Sequence, residues 1–413
     1  MNVTGKCFLH VDMDAFFASV SLLKYPFLTN FPVVIGGVNK AIYTPKYVAK
    51  NNSYDCALLN SYNGRSVIST ANYIARKLGL HSGMSLVKAA EIANRQRSEV
   101  ILLPTDFELY KEFSKKFKNI VKNILPENTD IENVGIDEIY FDLRNLSIES
   151  IILYCQKIQQ TIKKELNLTC SIGLATSKLM AKMASDMQKP FGLTKLDFPR
   201  DLYEKIWTLP VKKLNGIGTK SAEKLHKLNI FTIGELAATP LDLLQNNFGK
   251  SYSNWLYLAS RGEYFSPLIT QSEHKSLSRE LTFPRDLDLN LYADKTIIDN
   301  YLEQLAIQLS DDLKKHNFGA KTISTKIRYS NFQRATKDKT IIFSDSYVSN
   351  HLEILNLARY CLDKLPKKLP IRLLGIRASH LVSVSAENNN KEKNKQQQQQ
   401  QLQLQLQVGV KNE

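Results

Sequence analysis

The segment VGIDEIYFDL, residues 134–143, places two adjacent carboxylates inside a run that otherwise predicts a buried β-strand. Ile139 and Phe141 are strand-forming residues. Asp137 and Glu138 are of a type that is almost never fully buried unless it is paired or bound to a metal ion. Any fold of this chain therefore has to bring positive charge close to this strand.

The chain as a whole is strongly basic, with a formal net charge of +15 over 413 residues. An excess this large favours a polyanionic partner, most commonly nucleic acid, and a basic protein without such a partner is the alternative on charge alone. With 43% hydrophobic residues the chain can form several cores, and its length suggests two to four domains.

The cysteines and the hydrophobic runs indicate the compartment. The five cysteines are odd in number and form no C-x-x-C pair, which is typical of reduced thiols and argues against a disulfide framework or a zinc site. Polar residues interrupt the N-terminal segment, and no apolar run reaches the ~18 residues of a membrane span. We therefore expect a soluble intracellular protein without a membrane partner.

Strand and helix patterns alternate along the first half of the chain. KCFLHVDMDAFFASV starts as a buried strand and passes into a helical pattern, residues 110–124 have apolar side chains on one helical face, and TCSIGL predicts a further strand. Residues 38–65 are polar without clear periodicity and predict a long loop or insertion. This order predicts an α+β or α/β first domain.

The composition changes after Lys195 to lysine-rich helical pieces separated by Gly and Pro, up to about Gly262. From about Ser272 to Val384 the patterns fit two βαβ-like halves on an open sheet. Residues 385–413 are an Asn/Lys run followed by a Gln tract, a composition that predicts disorder.

A second acidic strand, near the N-terminus, offers partners for the first acidic pair. Asp12 and Asp14 occupy positions i and i+2 of the first predicted strand and share a face. Asp137 and Glu138 would point to opposite faces of a regular strand. They converge with Asp12 only if a turn or bulge lies there, which Gly135 permits.

Three carboxylates with no nearby His or Cys favour a hard cation, Mg²⁺ or Mn²⁺, that keeps several waters and binds substrate phosphates. Two such ions about 3.5–4 Å apart would stabilise the attacking and leaving oxygens of phosphoryl transfer. The alternative is that these acids are strand-end residues paired with Lys or Arg. In a basic protein the combination favours phosphoryl transfer on nucleic acid.

Five motifs occur in the order known from one enzyme family: HVDMDAFFASV, STANYIARKLG, GIDEIYFDL, SIGLATSKLMAKMASDMQKPFG and LPVKKLNGIGTKSAEKL. From Lys6 to about Leu381 the chain resembles Y-family translesion DNA polymerases, most of all their bacterial DNA polymerase IV branch. The resemblance implies a multidomain α+β right hand. The implied domains are a palm at 1–15 and 106–197, fingers at 16–105 with an insertion at about 38–66, a helical thumb at 198–262, a linker at 263–272, an α/β little finger at 273–384 and a disordered tail at 385–413.

The resemblance also implies roles for individual residues. Asp12, Asp137 and Glu138 match the family's catalytic metal-binding carboxylates, and Asp14 is not one of them. Phe17 matches a steric gate, a bulky ring that rejects a 2′-hydroxyl, although read alone it would be a core phenylalanine. The matches to contacts with the incoming triphosphate are Thr70, Tyr73, Arg76 and Lys189. The spacing of three predicts that the first three of these share one helix face.

The segment LNGIGTKSAEKLHKL resembles a helix-hairpin-helix. Gly216 and Gly218 allow a tight turn, the following helix N-terminus points N–H groups at a DNA phosphate, and Lys220 adds positive charge. Contacts of this kind position DNA and carry no sequence information.

Four positions depart from the family pattern. Ser21 stands where Glu is usual, Gly135 where Ser is usual, and Ser177 and Phe191 where Asn is usual. Ser21 and Gly135 are not metal ligands, so we expect altered local packing there without loss of activity, whereas Ser177 and Phe191 lie near the triphosphate side. The 38–65 stretch exceeds the family's short turn near the templating base, which leaves the accepted lesions open.

The implied activity is template-directed, two-metal nucleotidyl transfer, in which a primer 3′-hydroxyl attacks the α-phosphate of a deoxynucleoside triphosphate and pyrophosphate leaves. The implied cofactor is Mg²⁺, two ions, with Mn²⁺ as a substitute, and the partners are primer-template DNA and deoxynucleoside triphosphates. We expect a monomeric, error-prone enzyme without proofreading that acts in damage tolerance. A bacterial source would place it in the cytoplasm with the chromosome, and a eukaryotic source in the nucleus.

Two other functions use the same residues. A metal-dependent nuclease also needs clustered carboxylates, but Phe17, Arg76 and Lys189 would then have no role. A non-catalytic DNA-binding adaptor on the same fold would be expected to lack one of the three carboxylates, and all three are present.

The tail contains QLQLQL, residues 401–406, which resembles the sliding-clamp peptide of bacterial polymerases. An extended peptide that starts at Gln401 would place Leu402, Leu404 and Leu406 in apolar pockets of the clamp. The alternative is a Gln tract that imitates the pattern.

We predict that deletion of residues 396–413 abolishes clamp-stimulated synthesis and spares basal synthesis, because the clamp peptide is separate from the catalytic domains. Primer extension with and without the clamp measures both quantities. Equal stimulation of the truncated and full-length proteins would contradict the hypothesis.

Overall fold

The structure, a computed structural model, describes residues 7–48, 53–271, 273–341 and 347–384. It divides into two units, Met1–Ser272 and Glu273–Glu413. None of the helices in the described ranges combines the length and the apolar character that crossing a membrane demands.

Strands and helices are numbered along the chain. The strands are β1 (Phe8–Met13), β2 (Val33–Gly36), β3 (Lys46–Val48), β4 (Ser53–Asp55), β5 (Ile68–Ala71), β6 (Ile101–Pro104), β7 (Ile131–Asn133), β8 (Glu138–Asp142), β9 (Cys170–Ala175), β10 (Leu193–Lys195), β11 (Ser276–Leu287), β12 (Phe318–Tyr329), β13 (Arg334–Thr340) and β14 (Ile371–Ser383). The helices are α1 (Phe16–Lys24), α2 (Lys40–Tyr43), α3 (Tyr73–Lys77), α4 (Leu86–Arg95), α5 (Phe107–Ile124), α6 (Ile148–Leu166), α7 (Lys178–Met187), α8 (Thr219–His226), α9 (Ile233–Ala238), α10 (Leu241–Asn247), α11 (Lys250–Ser260), α12 (Tyr292–Lys315) and α13 (His351–Asp363).

The central sheet of the first unit brings distant segments of the chain side by side. Among the described residues it has five strands in the order β10-β9-β1-β8-β7, with β1 antiparallel to both β8 and β9. All six residues of β1 are buried. Helices cover both faces of the sheet, α5 and α6 on one and α7 on the other.

Side-chain alternation along β1 and β8 separates the two faces. Val11 and Ile139 pack in the core that includes α5 and α6, whereas Phe8 and Tyr140 pack in the cluster that includes α7. The period of two therefore turns three polar side chains toward α7 as well: His10, Asp12 and Glu138.

Gly173 on β9 lets α7 approach this face closely. A Cβ at this position would overlap the α7 backbone at Ala181 and Ser185. A larger residue would push away the helix that brings Lys182 and Ser185 to the polar side chains of β1 and β8.

The stretch 38–66 is not the featureless loop that its sequence predicts. It contains the short helix α2 and the antiparallel pair β3/β4, whose connection lies outside the described residues. The Tyr54 ring of β4 stacks on Phe27 with centroids 4.1 Å apart. Strands of three residues are too short to give a readable periodicity, which is why the sequence missed them.

The helices α8 to α11 follow the sheet along the chain of the first unit. Their inward-facing residues, among them Leu225, Ile233, Leu236 and Leu256, are fully buried and belong to the same hydrophobic cluster as α7. This segment is the lysine-rich helical region that the sequence predicted.

The second unit has the predicted order of two strand-helix-strand halves. Among its described residues the sheet order is β11-β14-β12-β13, with every neighbouring pair antiparallel. Helices α12 and α13 supply the other half of the core through residues such as Leu302, Leu309 and Ile354. The predicted multidomain α+β organisation is thereby confirmed, while the domain boundaries given above stay predictions.

Candidate functional site

The acidic segments of β1 and β8 meet at one end of the central sheet. Asp12 and Glu138 are direct partners in the antiparallel register. Asp137 lies just before β8 in a bend that begins at Gly135, and its carbonyl oxygen accepts a hydrogen bond of 3.1 Å from the Met13 N–H. This bend is the irregular backbone that the sequence required; Asp12 and Glu138 converge, whereas Asp137 is not part of the group of ligand atoms that lie within 4.8 Å of one another among the described residues.

The ligand atoms that lie closest together belong to His10, Asp12 and Glu138, which are within 4.8 Å of one another. The expectation of carboxylates without a nearby histidine is therefore wrong. His10 is fully buried and lies two positions before Asp12 on β1, so the alternation of the strand turns both side chains to the same face. The alternation could have indicated from the sequence that His10 lies beside Asp12, but a histidine in a buried strand is more often a core residue.

Two lysines neutralise the facing carboxylates. Lys189 Nζ lies 2.9 Å from Asp12 Oδ2 and 2.7 Å from Asp186 Oδ1. Lys182, which α7 contributes, forms a short ion pair with Glu138. The positive charge that the acidic strand demands thus comes from α7 and the residues directly after it.

The pKa values record the balance between burial and these lysines. Burial raises the pKa of Asp12 to about 7, an effect that the Lys189 ammonium opposes and the Glu138 charge reinforces. Burial also raises the pKa of Asp137, with Glu138 adding to it. Burial acts on Glu138 in the same direction, but the adjacent Lys182 ammonium and its hydrogen bond outweigh it, so that the pKa of Glu138 lies below the ordinary value.

Asp14 does not share the strand with Asp12, because β1 ends at Met13. Its carboxylate accepts hydrogen bonds from Ser171 Oγ at 2.8 Å, from the Phe191 N–H at 2.8 Å and from the Tyr73 hydroxyl at 3.3 Å. Phe191 has a φ of 60°, a left-handed conformation that costs a non-glycine residue about 1–2 kcal/mol. Asp14 therefore holds the turn that follows Lys189.

The Phe17 ring rests on a stack of aromatic side chains. It lies parallel to Tyr110 with centroids 4.3 Å apart, and the Phe107 ring meets it edge-on at 5.7 Å. The Tyr110 hydroxyl pairs with Ser21 Oγ at 2.8 Å. Ser21, one of the departures from the family pattern, thus fixes the ring beneath Phe17.

Tyr73 and Arg76 share α3 but Thr70 does not, so the prediction that all three lie on one helix is wrong. Thr70 belongs to β5, and α3 begins only at Tyr73, after Asn72 caps it. Arg76 lies over the Tyr73 ring at 4.9 Å, and its Nε donates to the Ala71 carbonyl at 2.9 Å. The strand-to-helix junction could not be predicted from the sequence, because the spacing of three fits a continuous helix equally well.

Ser177 and the thumb glycines have local structural roles. The Ser177 hydroxyl accepts a hydrogen bond of 3.3 Å from the Met180 N–H and so caps α7. Gly216 has a φ of +110°, and a Cβ there would meet the Trp255 ring. Gly218 caps α8 with nothing within 4 Å of a Cβ position, and Lys220 is exposed in the first turn.

The clamp-peptide prediction for Gln401, Leu402, Leu404 and Leu406 lies outside the described residues. In the described part of the chain, Lys189 pairs with Asp12, and Asp14 binds both the Phe191 N–H just beyond Lys189 and the Tyr73 hydroxyl.

Three family profiles match the chain. The profile of the impB/mucB/samB family matches residues 11–186, and the profile of its C-terminal domain matches residues 274–402. A profile described as the thumb domain of DNA polymerase-iota matches residues 212–263.

Similar proteins cover almost the full length of the chain. DNA polymerase IV of Streptococcus mutans serotype c is 34% identical over 395 residues, which is 94% of this chain and 95% of that protein. DNA polymerase IV of Lactococcus lactis subsp. cremoris is 34% identical over 384 residues, 92% of this chain and 95% of that protein.

Solved structures share the fold. A Y-family DNA polymerase chimera superposes with a TM-score of 0.73 at 25% identity, covering 91% of this chain and 99% of the chimera. DinB from Sulfolobus solfataricus superposes with a TM-score of 0.57 at 24% identity, covering 92% of this chain and all of that one (100%).

The raised pKa of Asp12 predicts a pH-dependent stability of the metal-free protein. Between the ordinary value of 3.8 and about 7, the unfolded chain releases a proton that the native state keeps, so stability falls as the pH rises. Asn cannot ionise, so we expect Asp12→Asn to raise the unfolding midpoint by several degrees at pH 8 and hardly at all at pH 4; about 1 kcal/mol corresponds to roughly 2–4 °C.

Thermal unfolding in EDTA across this pH range measures the difference. Asp130→Asn, at an exposed position, is the matched control and should differ from wild type by a constant amount. Parallel curves for Asp12→Asn and wild type would contradict the prediction.

Proposed function

The chain belongs to the Y family of DNA polymerases, and on that premise we propose that Asp12, Asp137 and Glu138 support metal-dependent transfer of deoxynucleotides onto a primer 3′-hydroxyl. DNA-directed DNA polymerisation of the translesion type is the activity of the family. The observation that carries the proposal is the pairing of Asp12 and Glu138 across β1 and β8, with Asp137 in the adjacent bend.

The donor set fits a divalent cation. Three carboxylates supply hard oxygen ligands, and two ammonium groups, Lys182 and Lys189, now balance the charge that a cation would balance. We assign Asp12, Asp137 and Glu138 to hold two Mg²⁺ ions. When bound, such ions lower the pKa of the primer hydroxyl and stabilise the charge on the leaving pyrophosphate.

Lys189, Tyr73 and Arg76 would bind the incoming triphosphate. The Lys189 ammonium already lies 2.9 Å from Asp12. Asp14, just after β1, accepts hydrogen bonds from the turn that follows Lys189 and from the Tyr73 hydroxyl, and so holds both near the carboxylates. Arg76 is fixed through Nε, and its two terminal nitrogens have no hydrogen-bond partner among the described residues. A guanidinium held in this way offers a forked donor for phosphate oxygens. Thr70, at the end of the neighbouring strand, would add a hydroxyl contact.

Phe17 would exclude the 2′-hydroxyl of a ribonucleotide. Its ring cannot retreat easily, because Tyr110 supports it from below and is itself fully buried and bound to Ser21. A rigid ring converts a small steric overlap into discrimination between sugars, since the neighbouring side chains cannot relax.

Gly216, Gly218 and Lys220 would bind a phosphate of the primer-template duplex. The open space around Gly218, at the N-terminus of α8, permits close approach of a phosphate to backbone N–H groups. Such contacts are independent of sequence, as a polymerase that translocates requires.

On the same premise we assign the enzyme to damage tolerance, as an error-prone polymerase without proofreading that works as a monomer. The sliding clamp is the proposed partner of the tail. A nuclease on the same carboxylates is the competing function, and it differs by cutting DNA in the absence of nucleotides.

Primer extension tests the catalytic assignment. We expect wild type to extend a primer with Mg²⁺ and deoxynucleotides, and Asp137→Asn to lose about 100-fold or more in rate, equivalent to about 3 kcal/mol of transition-state stabilisation. The reason is that an amide supplies no charge to hold a divalent cation.

Asp130→Asn removes an exposed carboxylate close in sequence and is the control that should retain wild-type extension. Incubation of labelled DNA without nucleotides detects cutting. Extension by Asp137→Asn at the wild-type rate would refute the role of Asp137, and Asp137-dependent cutting would favour the nuclease.

Phe17→Ala tests the steric gate. We expect the preference for deoxy- over ribonucleotides, measured as the ratio of kcat/KM values, to fall about 10- to 100-fold because the ring that meets the 2′-hydroxyl is gone. Phe27→Ala, a half-exposed ring outside the Phe17 stack, is the matched control. An active Phe17→Ala variant with unchanged sugar preference would rule out the gate.

A further inference from the structure

His10 is a buried side chain whose ring nitrogen Nε2 lacks a hydrogen bond among the described residues. The residue is fully buried, its ring packs against Tyr140 with centroids 4.4 Å apart, and Nδ1 lies 2.8 Å from Ser185 Oγ. Nε2 has no hydrogen-bond partner among the described residues and faces Glu138 Oε2 at 3.9 Å. An unsatisfied buried nitrogen costs about 1–3 kcal/mol, so its persistence calls for a reason.

The hydrogen bonds around Ser185 fix the tautomer of the ring. The Ser185 hydroxyl donates its one proton to the Lys182 carbonyl oxygen at 2.8 Å. It can then only accept from His10, which places the imidazole proton on Nδ1. A neutral His10 in this tautomer has its lone pair on Nε2, directed at the carboxylates.

A ring held in this way has the features of a metal-binding histidine. Such a histidine almost always donates its second N–H to a neighbouring oxygen, as His10 does to Ser185. The free Nε2 then completes a donor set with Asp12 and Glu138, all within 4.8 Å of one another. The 3.9 Å between Nε2 and Glu138 Oε2 is spanned by one ion at about 2.0–2.2 Å from each atom.

The mixed donor set changes which metal ion it suits. Mg²⁺ takes oxygen ligands in near-octahedral geometry, whereas Zn²⁺ takes imidazole nitrogen and carboxylate oxygen with four ligands. We propose that His10, Asp12 and Glu138 bind Zn²⁺ or a similar transition-metal ion, and that this ion inhibits Mg²⁺-dependent synthesis by taking two of its carboxylates. Only the inhibition rests on the proposed polymerase function; the binding itself does not.

Two competing charges face the same atoms and set the conditions for binding. Lys182 and Lys189 pair with Glu138 and Asp12 and have to move away when a cation arrives. Both lie on side chains that are partly exposed, so their ammonium groups can turn to solvent. A divalent ion that also gains the Nε2 ligand has an advantage over the lysines that Mg²⁺ lacks.

Metal binding to the full-length, metal-free protein without DNA tests the inference directly. We expect calorimetry to show Zn²⁺ binding that weakens about 100-fold in His10→Gln and about 10-fold in Ser185→Ala, which keeps the His10 ligand and loses the hydroxyl that accepts from Nδ1. Co²⁺ should give visible absorption bands that change when His10 is replaced. His81→Gln, at an exposed histidine whose Nδ1 lies 3.0 Å from the Ser82 carbonyl oxygen, is the matched control and should bind like wild type.

The inhibition is measured separately by primer extension at fixed Mg²⁺. We expect micromolar Zn²⁺ to inhibit wild type, higher Mg²⁺ to relieve the inhibition, and the half-inhibitory Zn²⁺ concentration to rise at least about 10-fold in Ser185→Ala.

Thermal unfolding identifies any variant that fails to fold; if His10→Gln is one, Ser185→Ala and the wild-type Co²⁺ spectrum decide. Equal Zn²⁺ affinity in wild type and the folded variants would overturn the inference. Zn²⁺ binding that depends on His10 in a protein without extension activity would uphold the site and refute only the polymerase assignment.

Discussion

Asp12 and Glu138 face each other across two antiparallel strands, and the free-energy cost of that buried negative charge shapes the structure around it. Like charges directly opposite each other on neighbouring strands destabilise a sheet unless positive groups lie next to them. Lys189 and Lys182 meet the two carboxylates from α7 and its C-terminal turn. On the proposed assignment the same carboxylates would bind a divalent cation, because ammonium groups on long side chains are displaced more easily than a fixed counter-charge.

The placement of α7 follows from features that have no catalytic chemistry. Gly173 lets the helix lie directly on β9, Ser177 caps its first turn, and Asp14 holds the backbone just beyond Lys189. These contacts position the helix that carries Lys182 and the turn that follows Lys189. A site that discriminates between cations depends on such supporting contacts as much as on its ligands.

Much of the architecture could be predicted from the sequence because its signals are local. The apolar period of the helices, the alternation of the strands and the change of composition near Lys195 indicated the elements and their order. The features that escaped are short or depend on junctions: the pair β3/β4, and the end of β5 before Tyr73. A three-residue strand gives no periodicity, and a strand-to-helix junction preserves a spacing that also fits a helix.

The sequence by itself determined the family of this protein and the residues proposed for its chemistry: three carboxylates in and beside two strands, a basic chain around them, and motifs that identify a polymerase. Only the tertiary structure decided which groups meet those carboxylates. His10 and Lys182 are 172 positions apart in the sequence yet approach the same Glu138. The physical reason is that strand register and the close packing of α7 on β9 fix these contacts. Neither leaves a trace in local residue patterns, because each depends on how distant segments fit together.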